Sequence, residues 1–464
     1  MNDRNKKNLF DNIWELHTIE QESSNSSWLS IDRCYIHDLN SPYVFKLVDN
    51  SGLDVWEKKR VLGIPDHSLS SCPGRTGEDT KASKVFMSNM RSKFNQYGLE
   101  FFEPNSPEQG IVHVVGPDLG ISLPGMTLVC GDSHTCTHGA IGALAWGIGT
   151  SEQYHVLCTQ TLNVKRPKTM RINIEGSLSE DVGPMDVILS IIAKYGTDFA
   201  NGYAVEFSGS VIRAMDMDGR MTVCNLCVEL GTEYGLISPD EKTFAYLKSR
   251  KYAPTGEMYE QMISHCKEIA STPESIFDKE ITVDVTGLER QVSWGISPAH
   301  TIGIHDVIPD LSQTRSEKDR KGFAEAYTYM GFKAKDAIAG IAVDRVFIGS
   351  CSNGRLSNIK LVAGLVKGKK VAEHVEAWVV PGSQQVKKDA EALGLDAIIK
   401  EAGFLWGEPG CSLCSGSNGE SIPAGKRCVS TTNRNFIGRQ GKGARTHLSS
   451  PYTAALAAIY GKIV

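Results

Sequence analysis

The segment Asp344-Arg-Val-Phe-Ile-Gly-Ser-Cys-Ser-Asn353 contains an apolar strand that ends in a turn of small polar residues. A helical pattern near Leu356–Val366 follows, then a second apolar strand, Ala377-Trp-Val-Val380, and a second helical pattern near Gln384–Leu393. This alternation predicts a βαβ unit, and hence a mostly parallel sheet with helices on both faces. Ligands of such sheets bind beyond the carboxyl ends of the strands, which is where Cys351 lies.

Other periodic segments precede this unit. Residues Lys81–Tyr97 have apolar side chains at three- and four-residue spacing before Gly98, which predicts an amphipathic helix with a glycine stop. The runs Gly110-Ile-Val-His-Val-Val-Gly116 and Met126-Thr-Leu-Val-Cys130 have the length of strands and are bounded by Gly or Pro. Residues 247–298 are polar and irregular, and we interpret them as the transition between a middle and a last domain.

The composition is that of an ordinary globular protein, because 41% of the 464 residues are hydrophobic and 22% are charged. This length predicts two or three domains. A net charge of -5 argues against a nucleic-acid surface. No secretion signal or membrane-spanning segment is recognisable, so we expect a soluble, cytoplasmic protein whose twelve cysteines are reduced.

Three cysteines resemble an incomplete metal-binding set: Cys351 and the pair in Pro409-Gly-Cys-Ser-Leu-Cys414. Structural zinc and iron-sulfur sites have four protein ligands, whereas a site that performs chemistry keeps one position open. A second pair, Cys224-Asn-Leu-Cys227, shows that this spacing arises easily, and those cysteines could be small buried residues of a helix. The Gly, Ser and Pro around Cys411 and Cys414 favour the later pair as ligands.

Histidines and carboxylates occur at the edges of apolar runs, in Asp66-His67, at His113 and in Gly131-Asp-Ser-His-Thr135. A histidine beside a carboxylate can hold the tuned proton that a general acid needs, although each could also be an ordinary loop or cap residue. The contiguous Asp-Ser-His does not indicate a catalytic triad, whose members meet across space. The arginines of the segment Asn433–Arg445 could bind carboxylates or phosphates, and they could equally belong to a solvated basic loop.

Taken together, four motifs resemble the aconitase superfamily, and within it the large subunits of the bacterial 3-isopropylmalate dehydratase family. The resemblance runs from about Leu9 to the last residues. The motifs are Val129-Cys-Gly-Asp-Ser-His-Thr-Cys-Thr-His-Gly-Ala140, Phe347-Ile-Gly-Ser-Cys-Ser-Asn353, Gly410-Cys-Ser-Leu-Cys414 and Thr432-Asn-Arg-Asn-Phe-Ile-Gly-Arg-Gln-Gly441.

The resemblance implies an aconitase-like α/β fold, with three α/β domains around a central iron-sulfur cluster and without the swivelling fourth domain. We expect the domains at residues 1–175, 176–295 and 296–464, the last carrying the cluster cysteines. The implied cofactor is one [4Fe-4S] cluster held by Cys351, Cys411 and Cys414, with an open iron that acts as a Lewis acid.

The resemblance also implies roles for other side chains. Asp66 and His67 would protonate the leaving hydroxyl, and His113 with Asp132 would form a second histidine-carboxylate pair. His134 and Glu229 would contact oxygen on the open iron. The remaining expected site residues are Asn225, Asn353 and Asn433 near the cluster, Arg434 and Arg439 for substrate binding or site organisation, and Ser133 as lining.

The implied reaction interconverts 2-isopropylmalate and 3-isopropylmalate, which are dicarboxylates, by dehydration and rehydration in leucine biosynthesis. The family's catalytic base is a serine of the fourth domain, so we expect a separate small subunit to supply it in a heterodimer. Ser352, Gly354, Ser415-Gly416 and Cys136 depart from the usual residues. These departures leave citramalate, dimethylmalate or another substituted malate as alternative substrates.

Two other classes of protein stay open at this point. The first is an iron-responsive or RNA-binding relative without turnover, against which the acidic net charge and the intact acid residues argue. The second is a four-cysteine zinc protein, which would need a fourth ligand such as Cys428.

Overall fold

The structure is a computed structural model that describes residues 6–314 and 316–464. Within these residues the α-helices are α1 Leu9–His17, α2 Ser41–Ser51, α3 Lys81–Tyr97, α4 Val112–Asp118, α5 Thr150–Thr159, α6 Pro184–Tyr195, α7 Ser210–Ala214, α8 Met217–Leu226, α9 Glu241–Leu247, α10 Glu257–Ile269, α11 Glu317–Met330, α12 Ser350–Asn353, α13 Leu356–Val366, α14 Gln384–Ala392, α15 Leu395–Glu401 and α16 Pro451–Tyr460. Short 3-10 helices include Ser133–Ile141, Cys227–Leu230 and Ser412–Cys414.

The strands of the same residues form five sheets, three of them wholly parallel. The strands are β1 Thr18–Ser23, β2 Ser26–Ser30, β3 Arg33–Ile36, β4 Val61–Gly63, β5 Glu100–Phe101, β6 Thr127–Cys130, β7 Leu144–Gly147, β8 Thr161–Lys165, β9 Lys168–Glu175, β10 Tyr203–Ser208, β11 Tyr234–Leu236, β12 Lys279–Asp284, β13 Gln291–Ser293, β14 Thr301–Gly303, β15 Arg345–Ile348, β16 Glu376–Val379, β17 Leu405–Trp406, β18 Arg427–Ser430 and β19 Arg445–Leu448.

The chain divides into two compact units. Among the described residues, unit 1 comprises 6–68, 81–176 and 198–284, and unit 2 comprises 69–80, 177–197, 285–314 and 316–464. Each unit contains a five-stranded parallel sheet, in the order β5-β4-β3-β6-β7 in unit 1 and β17-β16-β15-β18-β19 in unit 2. In both sheets the strand order reverses beside the first strand, between β3 and β6 or between β15 and β18. Such a reversal opens a crevice at the carboxyl ends of these strands.

Unit 1 has two further sheets, the parallel β11-β10-β9-β12 and the antiparallel β1-β2-β8. Apolar side chains from α1, α2, α3 and the five-stranded sheet form a hydrophobic core of this unit. In α3 the buried side chains include Met87, Met90, Phe94 and Tyr97, spaced so that one face packs inward. Gly98 ends this helix with a φ of 65°, a backbone conformation in which a residue with a side chain would be strained.

The structure confirms the predicted α3 helix and the predicted βαβ unit, which runs through β15, α13, β16 and α14. The strand predicted over residues 110–116 is wrong, because Val112–Asp118 forms α4. All seven residues of α4 are buried, so it has no polar face that would reveal helical periodicity. Residues 247–298 include α10, β12 and β13, and their interpretation as a transition between domains stays a prediction.

The part of the chain that the structure describes contains no helix long and apolar enough to cross a bilayer.

The close approach of two backbones at Gly139 gives a test of this fold. A Cβ atom on Gly139 would lie 1.7 Å from the carbonyl oxygen of Gly235, whereas a Cβ atom on Gly364 would meet nothing within 4 Å. We therefore expect Gly139→Ala to lower the free energy of unfolding by about 3 kcal/mol, and Gly364→Ala in α13 to leave it unchanged or raise it slightly. Urea denaturation measures both; equal stability of the two variants would contradict the backbone contact.

Candidate functional site

A group of histidines and carboxylates lies at the carboxyl edge of the five-stranded sheet of unit 1. His37 and Asp38 follow β3, Asp66 and His67 follow β4 after two residues, and Asp132 follows β6 after one. Because β3, β4 and β6 are parallel neighbours, their carboxyl ends lie at one edge. The sheet thereby brings together side chains that are distant in sequence.

Asp38 fixes the loop after β4. Its carboxylate accepts backbone N–H hydrogen bonds from Asp66 and His67, both at 3.0 Å, and from Ser68 at 2.6 Å. Burial alone would raise the pKa of Asp38, but the charges of His67 and His37 and these hydrogen bonds hold it below its usual value. The buried carboxylate of Asp38 therefore fixes the backbone of Asp66 and His67.

Asp132 is the centre of the group. Its carboxylate lies 3.2 Å from Nε2 of His67, 3.4 Å from Nε2 of His113 and 3.5 Å from Nδ1 of His134. It also accepts the backbone N–H of His134 at 2.8 Å. Burial opposes the charge, yet the hydrogen bonds from the three histidines lower the pKa of Asp132 well below its usual range. Asp132 is therefore an anion that only accepts hydrogen bonds.

His67 lies between two carboxylates. Its Nδ1 atom is 2.5 Å from Oδ1 of Asp66, whose other oxygen accepts the backbone N–H of Val112 at 3.1 Å. Burial would lower the pKa of His67, but the charge of Asp66 and the contacts with Asp132 raise it well above its usual value. The geometry therefore favours an imidazolium at His67, a buried proton donor.

The remaining expected residues of unit 1 lie around His134. Oε1 of Glu229 is 3.5 Å from Nε2 of His134, and both side chains are buried. The amide of Asn225 donates to Oγ1 of Thr137 at 2.8 Å, in the 3-10 helix that carries His134. Ser133 begins this helix and is exposed. Asn225 and Glu229 thus belong to the same unit as the histidines.

The close grouping of His37, Asp38, Asp66 and His67 could also suggest a cation site, since one ligand atom of each lies within 4.8 Å of the others. Asp38 already accepts three backbone hydrogen bonds, and a protonated His67 has no lone pair to offer a metal. The observed contacts therefore describe a hydrogen-bonded acid group.

The three expected cluster cysteines are buried in unit 2, each 6% exposed. Asn433, which follows β18, connects two of them: its Nδ2 donates to Sγ of Cys351 at 3.4 Å, and its Oδ1 lies 3.4 Å from Sγ of Cys414. Oγ of Ser350 donates to the same Oδ1 atom at 2.8 Å. Cys351 follows β15, so these groups lie at the strand reversal of the second parallel sheet.

Two residues beside these cysteines have a strained backbone. Ser350, before Cys351, has a φ of 74°, and Ser412, after Cys411, has a φ of 49°. A side chain rarely adopts this left-handed region, and such strain is concentrated at functional sites. The two turns are therefore held in a shape that directs the cysteines rather than in their relaxed conformation.

The other polar residues expected near the cysteines differ in their contacts. The amide of Asn353 donates to the carbonyl of Thr431 at 3.0 Å and lies 3.1 Å from Sδ of Met185. Nε of Arg439 donates to the carbonyl of Cys414 at 2.7 Å, and both Arg439 and Arg434 are half-buried. Asn433 is thus the asparagine that contacts the thiols directly.

The remaining cysteines do not favour a zinc site. Cys428 lies in an apolar core with Phe347 and Leu413, and burial raises its pKa to about 12. Burial likewise raises the pKa of Cys224 and Cys227 well above the usual range, which disfavours the thiolates that bind metal. Within residues 6–314 and 316–464, no group of three ligand atoms within 4.8 Å includes a cysteine, whereas zinc would hold thiolates about 3.8 Å apart.

Three buried polar residues of unit 1 were missed in the sequence: His37, Asp38 and His138. His37-Asp38 directly follows a buried strand, as Asp66-His67 follows another, and this repeated pattern could have revealed them. His138 lies four residues after His134, and its Nε2 is 3.2 Å from Nδ1 of His113. Nothing in the spacing of the sequence predicts that contact.

The whole chain can be assigned to a protein family. The sequence profile of the aconitase family (aconitate hydratase) matches residues 11–461, and the chain belongs to this family. The α/β class with several parallel sheets that the motifs predicted is confirmed. The division into three domains stays a prediction.

The chain is similar to a named relative and to a solved structure. The chain is 47% identical over 461 residues to 3-isopropylmalate dehydratase large subunit 1 of Bradyrhizobium diazoefficiens, which covers 99% of this chain and 96% of the relative. Among solved structures, the crystal structure of Thermococcus kodakaraensis aconitase X in its holo form aligns with a TM-score of 0.46 at 12% identity. That alignment covers 88% of this chain and 84% of the other.

The charge of Asp132 should control the proton on His67. We expect Asp132→Asn to lower the pKa of His67, because it removes the negative charge 3.2 Å from Nε2. NMR titration of labelled histidines in the full chain measures this, with a His67→Gln chain to assign the signal. Asp32→Asn is the matched control, since Asp32 raises the pKa of His17 and should affect that residue alone. An unchanged His67 titration in Asp132→Asn would contradict the assignment.

Proposed function

We propose that this chain is the large, cluster-bearing subunit of a 3-isopropylmalate dehydratase, a hydro-lyase that interconverts 2-isopropylmalate and 3-isopropylmalate in leucine biosynthesis. The observation that carries the proposal is the 47% identity, over 99% of the chain, to a large subunit of that name. The buried acid group of unit 1 supports it, because dehydration needs an acid for the leaving hydroxyl.

We infer that Cys351, Cys411 and Cys414 hold one [4Fe-4S] cluster, as membership of the aconitase family suggests. The side chains fit such a group, because three buried thiols share a turn region with strained serines, and an asparagine amide donates to sulfur. When bound, the cluster supplies a Lewis acid at the iron that lacks a cysteine ligand.

The chain's own residues supply proton transfer and binding. His67, an imidazolium between Asp66 and Asp132, would donate the proton to the leaving hydroxyl from its buried position. His113 and His134 would hold the Asp132 carboxylate, and Glu229 would orient His134. These side chains would line the site beside Ser133 and Asn225. The planar donors of Arg434 and Arg439 would bind the substrate's carboxylates, and Asn353 and Asn433 would support the thiol turns.

We propose that the catalytic base comes from a small subunit in a heterodimer, which the designation of the relative as a large subunit supports. The chain alone should therefore turn over 2-isopropylmalate at least about 100-fold more slowly than the complex, since general acid-base catalysis contributes that much. An anaerobic assay of alkene formation with and without the small subunit measures this. Equal turnover by the purified chain would contradict the need for a partner.

The same assay tests the substrate. The complex should prefer 2-isopropylmalate in kcat/KM over citramalate and dimethylmalate. A preference for one of these smaller malates would contradict the assigned substrate and support the alternative hydro-lyase.

The cysteine assignment has a direct test that does not depend on turnover. We expect Cys351→Ala to lose most of the iron and sulfide that the wild-type chain binds on anaerobic reconstitution, because it removes one of three ligands. Cys428→Ala, in the apolar core, is the matched control and should retain both. Iron and acid-labile sulfide analysis measures the result. Stoichiometric zinc without sulfide in the wild-type chain would contradict the cluster.

A further inference from the structure

A chain of buried polar contacts, three hydrogen bonds and one ion-pair contact, runs from the interior of unit 1 to Asp132. The hydroxyl of Tyr35 lies 2.8 Å from Oγ of Ser122, which lies 3.0 Å from Nδ1 of His138. Nε2 of His138 is 3.2 Å from Nδ1 of His113, whose Nε2 is 3.4 Å from Oδ1 of Asp132. Four of these residues are at most 1% exposed: Tyr35, Ser122, His138 and His113.

Close packing at Gly116 keeps these groups together. A Cβ atom on Gly116 would lie 2.5 Å from Oγ of Ser122, 2.6 Å from Cε1 of His138 and 3.0 Å from the hydroxyl of Tyr35. The ring of His138 also lies against the rings of Tyr35 and His113, with centroids 5.6 and 5.3 Å away. The space beside Gly116 is therefore filled by the chain itself.

Asp132 determines the direction of the hydrogen bonds. Its carboxylate only accepts, because contact with three histidines holds its pKa well below the usual range, so Nε2 of His113 carries the hydrogen. If His113 is neutral, its Nδ1 accepts from Nε2–H of His138. The other nitrogen of His138 then accepts from the hydroxyl of Ser122, which in turn accepts from Tyr35.

If the hydrogen bonds ran in the opposite direction, the hydroxyl hydrogen of Tyr35 would have no acceptor in this chain of contacts. Burial raises the pKa of Tyr35 to about 12, so this hydroxyl keeps its hydrogen. If Ser122 donated to Tyr35, the Tyr35 hydrogen would need another acceptor, and Ser122 is its hydrogen-bond partner among the described residues. Leaving a buried donor unpaired costs about 1–3 kcal/mol, which favours donation from Tyr35 towards His113.

We propose that Tyr35, Ser122 and His138 are positioning residues that hold His113 as the neutral tautomer with its hydrogen on Nε2, directed at Asp132. Their role in turnover rests on the function proposed above. The consequence concerns His67: a second imidazolium at His113 would contact the same carboxylate and would disfavour the proton on His67. A neutral His113 orients Asp132 without competing for that charge.

The tautomer can be observed without any reaction. In the full chain prepared without the cluster, 15N NMR of histidine side chains should show His113 with hydrogen on Nε2 and none on Nδ1. Ser122→Ala, a small change, should make this tautomer mixed. Hydrogen on Nδ1 of His113 in the wild-type chain, or an unaltered tautomer in Ser122→Ala, would overturn the proposal.

Turnover of the complex with the small subunit gives the second measurement. His138→Phe keeps a ring but removes both nitrogens, so kcat should fall roughly 10- to 100-fold with little change in KM, as for groups that orient a catalytic residue. His138→Gln can still donate to His113 and should recover most of kcat. His155→Phe, at a half-buried histidine of α5, is the control and should leave kcat unchanged.

These outcomes separate the two proposals. A wild-type complex without hydro-lyase turnover, but with the predicted His113 tautomer, would overturn the proposed function and leave the positioning chain in place. Normal kcat in His138→Phe, or equal losses in His138→Phe and His138→Gln, would overturn the role of His138 in the reaction.

Discussion

The buried carboxylate of Asp132 is the interaction on which the candidate acid group depends. An ionised carboxylate removed from water costs several kcal/mol unless hydrogen bonds and opposite charge compensate it. Here the compensation comes from His67 after β4, His113 on α4 and His134 in a 3-10 helix. Three elements must therefore meet at one anion: the loop after β4, the helix α4 and the turn after β6. The Asp38 carboxylate fixes the loop after β4 by accepting its backbone hydrogen bonds.

In both units the candidate site residues lie at the same position of a parallel sheet. Each has a five-stranded parallel sheet whose strand order reverses beside its first strand. In unit 1 the acid residues follow β3, β4 and β6, and in unit 2 Cys351 and Asn433 follow β15 and β18. Connections leave such a reversal in opposite directions, so the carboxyl ends of the two central strands stay uncovered. Polar and strained turns are tolerated there because neighbouring strands fix them.

The sequence predicted what local pattern determines. The helix at Lys81–Tyr97 and the β15–β16 unit have clear periodicity and stops, and the motif residues Asp66, His67, His113, Asp132 and His134 meet in unit 1 as side chains of one group. The helix α4 was misread because burial on all sides removes the polar face that periodicity needs. His138 was missed because its contact with His113 joins residues 25 positions apart, which no local pattern encodes.

Three of the residues that are expected to depart from the family's usual pattern, Gly354, Ser352 and Gly416, have local structural explanations. A Cβ atom on Gly354 would lie 2.8 Å from the carbonyl oxygen of Ser350 and 3.0 Å from the backbone nitrogen of Gly382, so a serine there would displace backbone beside Cys351. The hydroxyl of Ser352 is used inside the same turn, donating to the carbonyl of Thr431. Gly416 has a φ of 62°, which suits glycine. Because these residues shape the thiol turns, their differences adjust the backbone around the cysteines and are a weak guide to which malate is bound.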